Sequence, residues 1–208
     1  MKHKNKIVIG IDQSYKDTGI SVVHNNKLRI ITNIRLDAFD NNSERRIALR
    51  KRLIKVFTKI KLTASKLPNC EVIVIIERIR LQSSGFINID YIKSMGAINA
   101  LIVDTAAEFE INVYSVDTRA WKCQTVGHSK PESNPFGLDP KKWPTIKFII
   151  AKGYEDSLLD EVSHRKKKGV VKEVVGVKYT YNDNKADSAC IALYGFIHET
   201  KQNLVLEH

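Results

Sequence analysis

Three carboxylates stand where carboxylates are costly. Asp12 ends the apolar run Ile7, Val8, Ile9 and Ile11; Glu77 ends the run EVIVIIE; Asp187 sits among Ala186, Ala189 and Cys190 in NDNKADSACIAL. One such acid is explained by a chain leaving a sheet into a turn, where its oxygens accept backbone N–H groups. Three of them in packed surroundings would repel one another if gathered without cations. With two divalent cations roughly 4 Å apart, the same acids can run in-line phosphodiester hydrolysis. One cation then activates the attacking water and the other steadies the leaving oxygen. Carboxylate oxygens suit Mg²⁺ or Mn²⁺, and no Cys and His grouping suggests zinc. Asp183 and Asn184 share the helical face of Asp187, since residues three or four apart are separated by only about 40–60° around a helix. Asp183 is a candidate fourth acid, or simply a helix cap; Asn182 can cap equally well.

The elements that would carry these groups follow from periodicity. Ile7–Val23 reads as two strands joined by a turn holding Asp17 and Gly19, and Leu28–Leu36 as a third strand entered through Asn25 and Asn26. Ser43 is placed as the N-cap of a long helix to about Leu67, with Ile47, Leu53, Ile54, Phe57, Ile60 and Ala64 on its buried face. Its other faces carry a dense set of Lys and Arg, and Pro68 and Asn69 end it. Glu71–Glu77 is nearly continuous Val and Ile, as in a central parallel strand covered on both sides. Two interior strands that both end in acids can present them at one sheet edge. A second helix spans Asp90–Glu110, with small residues Gly96, Ala97 and Ala100 that permit close packing. Asn112–Val116 is a short strand, Thr118–Lys142 dissolves into loop chemistry, and Trp143–Lys152 reads as a short helix. Asp156–Val177 carries the run HRKKKG and has no assignable period, and a last helix begins at Asn182 or Asp183.

Composition narrows the class. The 208 residues allow one sizeable core, and residues 1–205 are read as a single domain. Residues 206–208 are read as an expression-tag remnant. No apolar run approaches the roughly 20 residues that cross a membrane, so a cytoplasmic protein is expected. Three cysteines, Cys70, Cys123 and Cys190, are too few and too widely spaced for a zinc motif, and their odd number argues against a disulfide framework. The net charge of +11 suits a polyanionic partner. The clustered Arg165, Lys166, Lys167 and Lys168 could grip phosphates, as could the basic face of the first long helix.

In order and spacing, IGIDQSYKDTGISVV, the long helix, VIVIIER, KSMGAINALIVDTAAEFEINVYSV and NDNKADSACIAL resemble the RuvC-type Holliday junction resolvases of the ribonuclease H-like superfamily. The likeness runs from Lys6 to about His198, and its departures point to a phage-like branch. It implies an α/β, ribonuclease H-like fold: a mixed five-stranded sheet, antiparallel over its first three strands and then parallel, flanked by helices. It further implies a metal-dependent endonuclease that cuts four-way junctions by paired symmetric nicks during recombination, repair or phage DNA processing, and that works as a homodimer. Carried over by position, Asp12, Glu77 and Asp187 become ligands of Mg²⁺ or Mn²⁺, two ions per site. The family's fourth acid falls at Asn184, with Asp183 one residue earlier, and Asp183 is the favoured fourth ligand on grounds of charge. Lys122 and Lys130 become the candidates for the basic residue beside the scissile phosphate. In the segment after Glu77, Arg78, Arg80 and Phe86 become candidate DNA contacts.

Three rival readings share these residues. A nuclease of the same fold could act on other branched DNA or on RNA-containing substrates. GIDQSYKDTG is similar to the phosphate loop of actin-like and sugar-kinase ATPases, which need two such domains where this chain has room for one. An inactive DNA-binding module would be expected to lose its acids, yet Asp12, Glu77 and Asp187 are all present.

Overall fold

A computed structural model describes residues 5–79, 89–128, 130–162, 169–197 and 204–207. The chain opens as an antiparallel meander of β1 (Lys6–Asp12), β2 (Asp17–His24) and β3 (Lys27–Arg35). Asn25 and Asn26 join the last two strands, both at positive φ, as a tight hairpin turn requires and asparagine tolerates. Helix α1 (Asn42–Ala64) follows, then β4 (Glu71–Glu77), α2 (Ile89–Ala107) and β5 (Asn112–Val116). A short α3 (Thr118–Trp121) continues into one π-helical turn, Lys122–Val126, where a featureless loop was expected. After α4 (Trp143–Ala151) and α5 (Glu155–Leu158) come β6 (Leu159–Val162), β7 (Lys172–Val174) and β8 (Val177–Tyr181). Helix α6 (Asp183–Ile197) and β9 (Leu204–Leu206) complete the described chain.

The main sheet has the order β3-β2-β1-β4-β5-β9. β1 pairs antiparallel with β2 and parallel with β4, and β4 is parallel to β5, which is the expected progression. The sheet has six strands where five were expected. The sixth is β9, antiparallel to β5, with Tyr114 opposite Leu206, a residue excluded from the fold on the sequence alone. The region left unassigned forms a second, three-stranded antiparallel sheet, β6-β8-β7, whose hairpin turns through Val175 and Gly176.

Alternation along β1 divides the core into two layers. Ile7, Ile9 and Ile11 pack with Val74 and Ile76 under Leu53, Phe57 and Ile102 of α1 and α2. Val8, Ile73 and Ile75 face Ala189, Cys190 and Leu193 of α6 and Ile149 of α4. The buried stripe of α1 is Leu49, Leu53, Phe57, Ile60 and Ala64; Leu53, Phe57, Ile60 and Ala64 are as expected, Ile54 is only half-buried, and Leu49 takes the place of Ile47, which is 54% exposed. Asn41, not Ser43, caps the helix, its side chain accepting from the Glu44 N–H at 2.9 Å. Removing the fully buried Phe57 ring, which meets Phe109 edge-on at 5.9 Å, would cost about 3–5 kcal/mol. Among the described residues no helix is long and apolar enough to cross a membrane.

Candidate active site

The backbone delivers two acids to one sheet edge. Parallel pairing of β1 and β4 ends at Ile11 opposite Ile76, and the next residue of each strand is the acid. Asp12 then lies opposite Gly19 of β2, and Glu77 opposite Val116 of β5. Both Glu77 oxygens are held by the chain just after β5: the Thr118 hydroxyl donates to Oε1 at 2.5 Å and the Trp121 indole N–H to Oε2 at 3.3 Å. Trp121 is fully buried, so the carboxylate is fixed against a rigid wall.

The third acid arrives on α6. A Cβ on Gly10 would lie 2.2 Å from the Ser188 carbonyl oxygen, and one on Gly19 2.0 Å from that of Asn184. These two glycines let the helix lie directly on β1 and β2. The buried hydroxyls of Ser21 and Ser188 meet at 2.8 Å in the same contact. Asn182 caps the helix, its side-chain oxygen accepting from the Lys185 N–H at 3.0 Å. Capping is therefore the task of Asn182, which frees Asp183 from that role. Asp187, only 3% exposed, is brought down beside the strand-borne pair.

Lys142, which sequence reasoning did not single out, supplies the positive charge. Its ammonium donates to Asp183 Oδ2 at 3.0 Å and to Asp187 Oδ2 at 3.2 Å. The other Asp187 oxygen, Oδ1, is buried and has no hydrogen-bond partner among the described residues. Burial of its carboxyl and the neighbouring Asp187 charge push Asp12 well above the usual carboxylate range; Lys142 pulls it back only in part, and Glu77 and Asp183 add to the rise. Burial works against the Lys142 ammonium, but the charges of Asp187, Asp183 and Asp12 outweigh it and strengthen its hold on the proton. The cluster is short of positive charge.

A cleft of about 860 Å³ opens over these groups. Asp12, Glu77, Asp187, Asn184, Lys122 and Lys142 line it, and α2 adds Tyr91, Ile92 and Met95. Arg78 also reaches it, with its Nε 3.4 Å from the Ser115 hydroxyl. Lys122 stacks its ammonium 5.1 Å from the Trp121 ring. Lys130 is exposed and is not part of that lining, and neither is Asp183, which meets the site through Lys142. Arg80, Phe86, Arg165, Lys166, Lys167 and Lys168 lie outside the described residues.

Among the described residues no three Asp, Glu, His or Cys side chains gather closely enough to enclose a metal ion. The donor chemistry nevertheless fits one. The donors are carboxylate oxygens, one of them buried and orphaned among the described residues, around a buried Asp12 that Lys142 offsets only in part.

No protein-family model and no curated sequence matches the chain. Solved structures do. The RuvC of Thermus thermophilus superposes with a TM-score of 0.58 at 14% identity, over 97% of this chain and 99% of that one. The structure of T. thermophilus RuvC in complex with Holliday junction substrate gives 0.57 at 14% identity, with the same coverage. The chain therefore has a RuvC-like, ribonuclease H-like fold over nearly its whole length.

Proposed function

We propose that this protein is a metal-dependent endonuclease that cuts branched DNA, four-way junctions foremost, with Asp12, Glu77 and Asp187 as the residues that would hold the metal. The single observation that supports this most is the convergence of acids from β1, β4 and α6 in one cleft floored by Lys142. The likeness to a RuvC solved with a junction points the same way.

When bound, two Mg²⁺ or Mn²⁺ ions would supply an activated water and charge neutralisation at the leaving oxygen. The chain's own groups do the rest. Thr118 and Trp121 keep both Glu77 oxygens directed, and the buried α6 keeps Asp187 from turning to solvent. Lys142 and Lys122, with Arg78, carry positive charge into the cleft, where it can offset the acids for an incoming phosphate. Asp183 is the proposed fourth acid. Arg78, the basic outer face of α1 and the run Arg165–Lys168 are proposed to hold the DNA arms by phosphate contact, with Arg80, Phe86 and Lys130 as further contacts.

A homodimer through α2 completes the proposal, because two-fold symmetry places two nicks opposite each other. Gly96 is exposed on that helix, and a Cβ there would meet nothing within 4 Å. Gly96→Leu should leave the monomer's melting temperature unchanged or raised, yet abolish the dimer in sedimentation; a dimer that survives it would move the interface elsewhere.

The deciding experiment incubates the protein and Mg²⁺ with labelled four-way junction, flap, fork, RNA–DNA hybrid and linear duplex. The junction should be cut fastest. Asp12→Asn should lower cutting more than about 100-fold, beyond the range of a residue that merely supports a ligand, while junction binding stays equal or tightens. Faster cutting of another substrate would reassign the specificity, and normal cutting by Asp12→Asn would remove the site.

A further inference from the structure

The acids on β1 and β4 begin where the two strands stop pairing. Their last backbone partners are Ile11 and Ile76. Past Asp12, the chain bends into a tight turn in which the Thr18 hydroxyl donates to the Ser14 carbonyl at 2.7 Å. Nothing in the β1 backbone is then left to meet the N–H and C=O of Glu77 that face it. The side chain of Gln13, 7% exposed, fills that place. Its Oε1 accepts from the Glu77 N–H at 3.2 Å, and its Nε2 donates to the Glu77 carbonyl oxygen. A carboxamide carries the same donor and acceptor as a peptide unit, so it can extend a parallel ladder by one rung without any backbone. The partners also fix which end is oxygen, since the reverse would set two donors and two acceptors face to face.

The other ties at this strand end run the opposite way. The Arg78 N–H donates to the Val116 carbonyl at 2.8 Å, and Thr118 and Trp121 hold the Glu77 carboxylate, all on the β5 side. Among the described residues Gln13 is the tie on the β1 side, and it stands next to Asp12. We infer that Gln13 is a positioning residue: its side chain splices β4 to β1 beyond their last backbone pair and so sets the spacing between Asp12 and Glu77.

The inference rests on the proposed metal-dependent site for its consequence, but not for its geometry, and the test uses both. Gln13→Met keeps the length and packing of the side chain and removes both hydrogen bonds; Gln13→Glu keeps the acceptor and removes the donor. Hydrogen exchange of the segment 74–79 reads the splice directly. It should quicken at the Glu77 amide in Gln13→Met, and also in Gln13→Glu, where a carboxylate oxygen would face the Glu77 carbonyl oxygen in place of the donor, with residues 7–11 unchanged in both. Calorimetry of the DNA-free protein with Mn²⁺ should show affinity about 10- to 100-fold weaker in Gln13→Met, as for loss of a group that orients a ligand. Junction binding in Ca²⁺ should be unaltered, and cleavage should recover as the metal concentration is raised. Quickened exchange with wild-type Mn²⁺ affinity would overturn the positioning role, and unquickened exchange would overturn the splice itself. If the wild-type protein bound no Mn²⁺ and cut nothing, the proposed function would fall, while the exchange data alone would still decide whether Gln13 joins the strands.

Discussion

Asp12 and Glu77 are held by a sheet, whereas Asp183, Asp187 and Lys142 are held by a helix end and a loop. The first pair sits at the ends of adjacent central strands whose Ile7, Val8, Ile9 and Ile11 and Ile73, Val74, Ile75 and Ile76 are buried on both faces. Its position is set by backbone pairing up to Ile11 and Ile76 and by the Gln13 side chain one step beyond. The second group depends on how two separate pieces of chain come to rest on that sheet. Helix α6 is seated by the absence of side chains at Gly10 and Gly19. Lys142 comes at the end of a long connection that is itself tied down. Asn134 Oδ1 accepts from the N–H groups of Phe136 at 3.1 Å and Leu138 at 3.0 Å, and the Glu132 N–H donates to the Pro140 carbonyl at 2.9 Å. Phe136 then packs edge-on against Trp143 and Tyr181, with ring centres 5.7 and 5.8 Å apart. The difference teaches that the acids of the sheet need only local ties such as Gln13, Thr118 and Trp121, while the charge balance of the site depends on docking.

Separating the two halves should have the largest effect. Gly19→Ala drives a methyl into the Asn184 backbone, which cannot yield as a side chain can. The substitution should cost about 1–3 kcal/mol or more, lowering the melting temperature by several degrees, and should remove most cleavage by lifting Asp187 from Asp12. Thermal melting and junction cleavage check it together. A fully active, equally stable variant would mean that α6 is not seated by close approach.

Removing the docked charge is the next test. Lys142→Met leaves Asp183 and the buried Asp187 facing each other without a counter-ion. The pair is partly solvated, with about a third of the Lys142 side chain exposed, so the loss should fall near 1–3 kcal/mol, between that of a surface pair and that of a buried one. Millimolar Mg²⁺ should restore more of the melting temperature in this variant than it adds to the wild type, because a divalent cation can take over the missing charge. Equal stabilisation of the two proteins would show that the ammonium and the metal do not serve the same carboxylates. Cleavage should fall about 10- to 100-fold at fixed Mg²⁺.

The strand-borne half was legible in the sequence, and of the docked half its acids, Asp183 and Asp187, were legible while Lys142 was not. An acid that ends a continuous Val and Ile run advertises its position, because periodic burial is what a sequence encodes most directly. The meander, α1, β4, α2 and α6 were legible for the same reason. Lys142 had no such signal. It stands among the prolines and lysines of 130–142, where only the folded connection shows which lysine reaches the acids; of the lysines named from the sequence, Lys122 lines the same cleft and Lys130 does not. The second sheet was missed because β6, β7 and β8 are only three to five residues long and mostly half-exposed, too short to show a period. Gln13, next to the most conspicuous acid, reads in sequence as the first residue of a turn, and only the facing strand end reveals its use.

The smallest expected effect concerns the residue that completes the docked half. Asp183 and Asn184 both lie in the first turn of α6, and they divide the evidence between charge and placement. Asp183 carries the charge and shares Lys142 with Asp187, and its field contributes to the raised Asp12. Asn184 lines the cleft, but its amide nitrogen donates to the Asp17 carbonyl at 2.6 Å, a bond that fastens α6 to β2. A carboxylate offsets the charge of divalent cations better than a neutral amide oxygen does. Asp183→Asn should therefore reduce Mg²⁺-dependent cleavage about 10-fold, the low end of what a supporting group is worth. Because Asn182 is the cap and the Asp183 side chain is 41% exposed, its melting temperature should hardly move. Asn184→Ala should show the reverse, losing about 1 kcal/mol of stability with the Asp17 bond and keeping most of its cleavage. Full activity in Asp183→Asn together with inactivity in a folded Asn184→Ala would transfer the fourth position to Asn184. The docked half would then contribute a neutral oxygen, and Lys142 would balance Asp183 and Asp187 before any metal arrives.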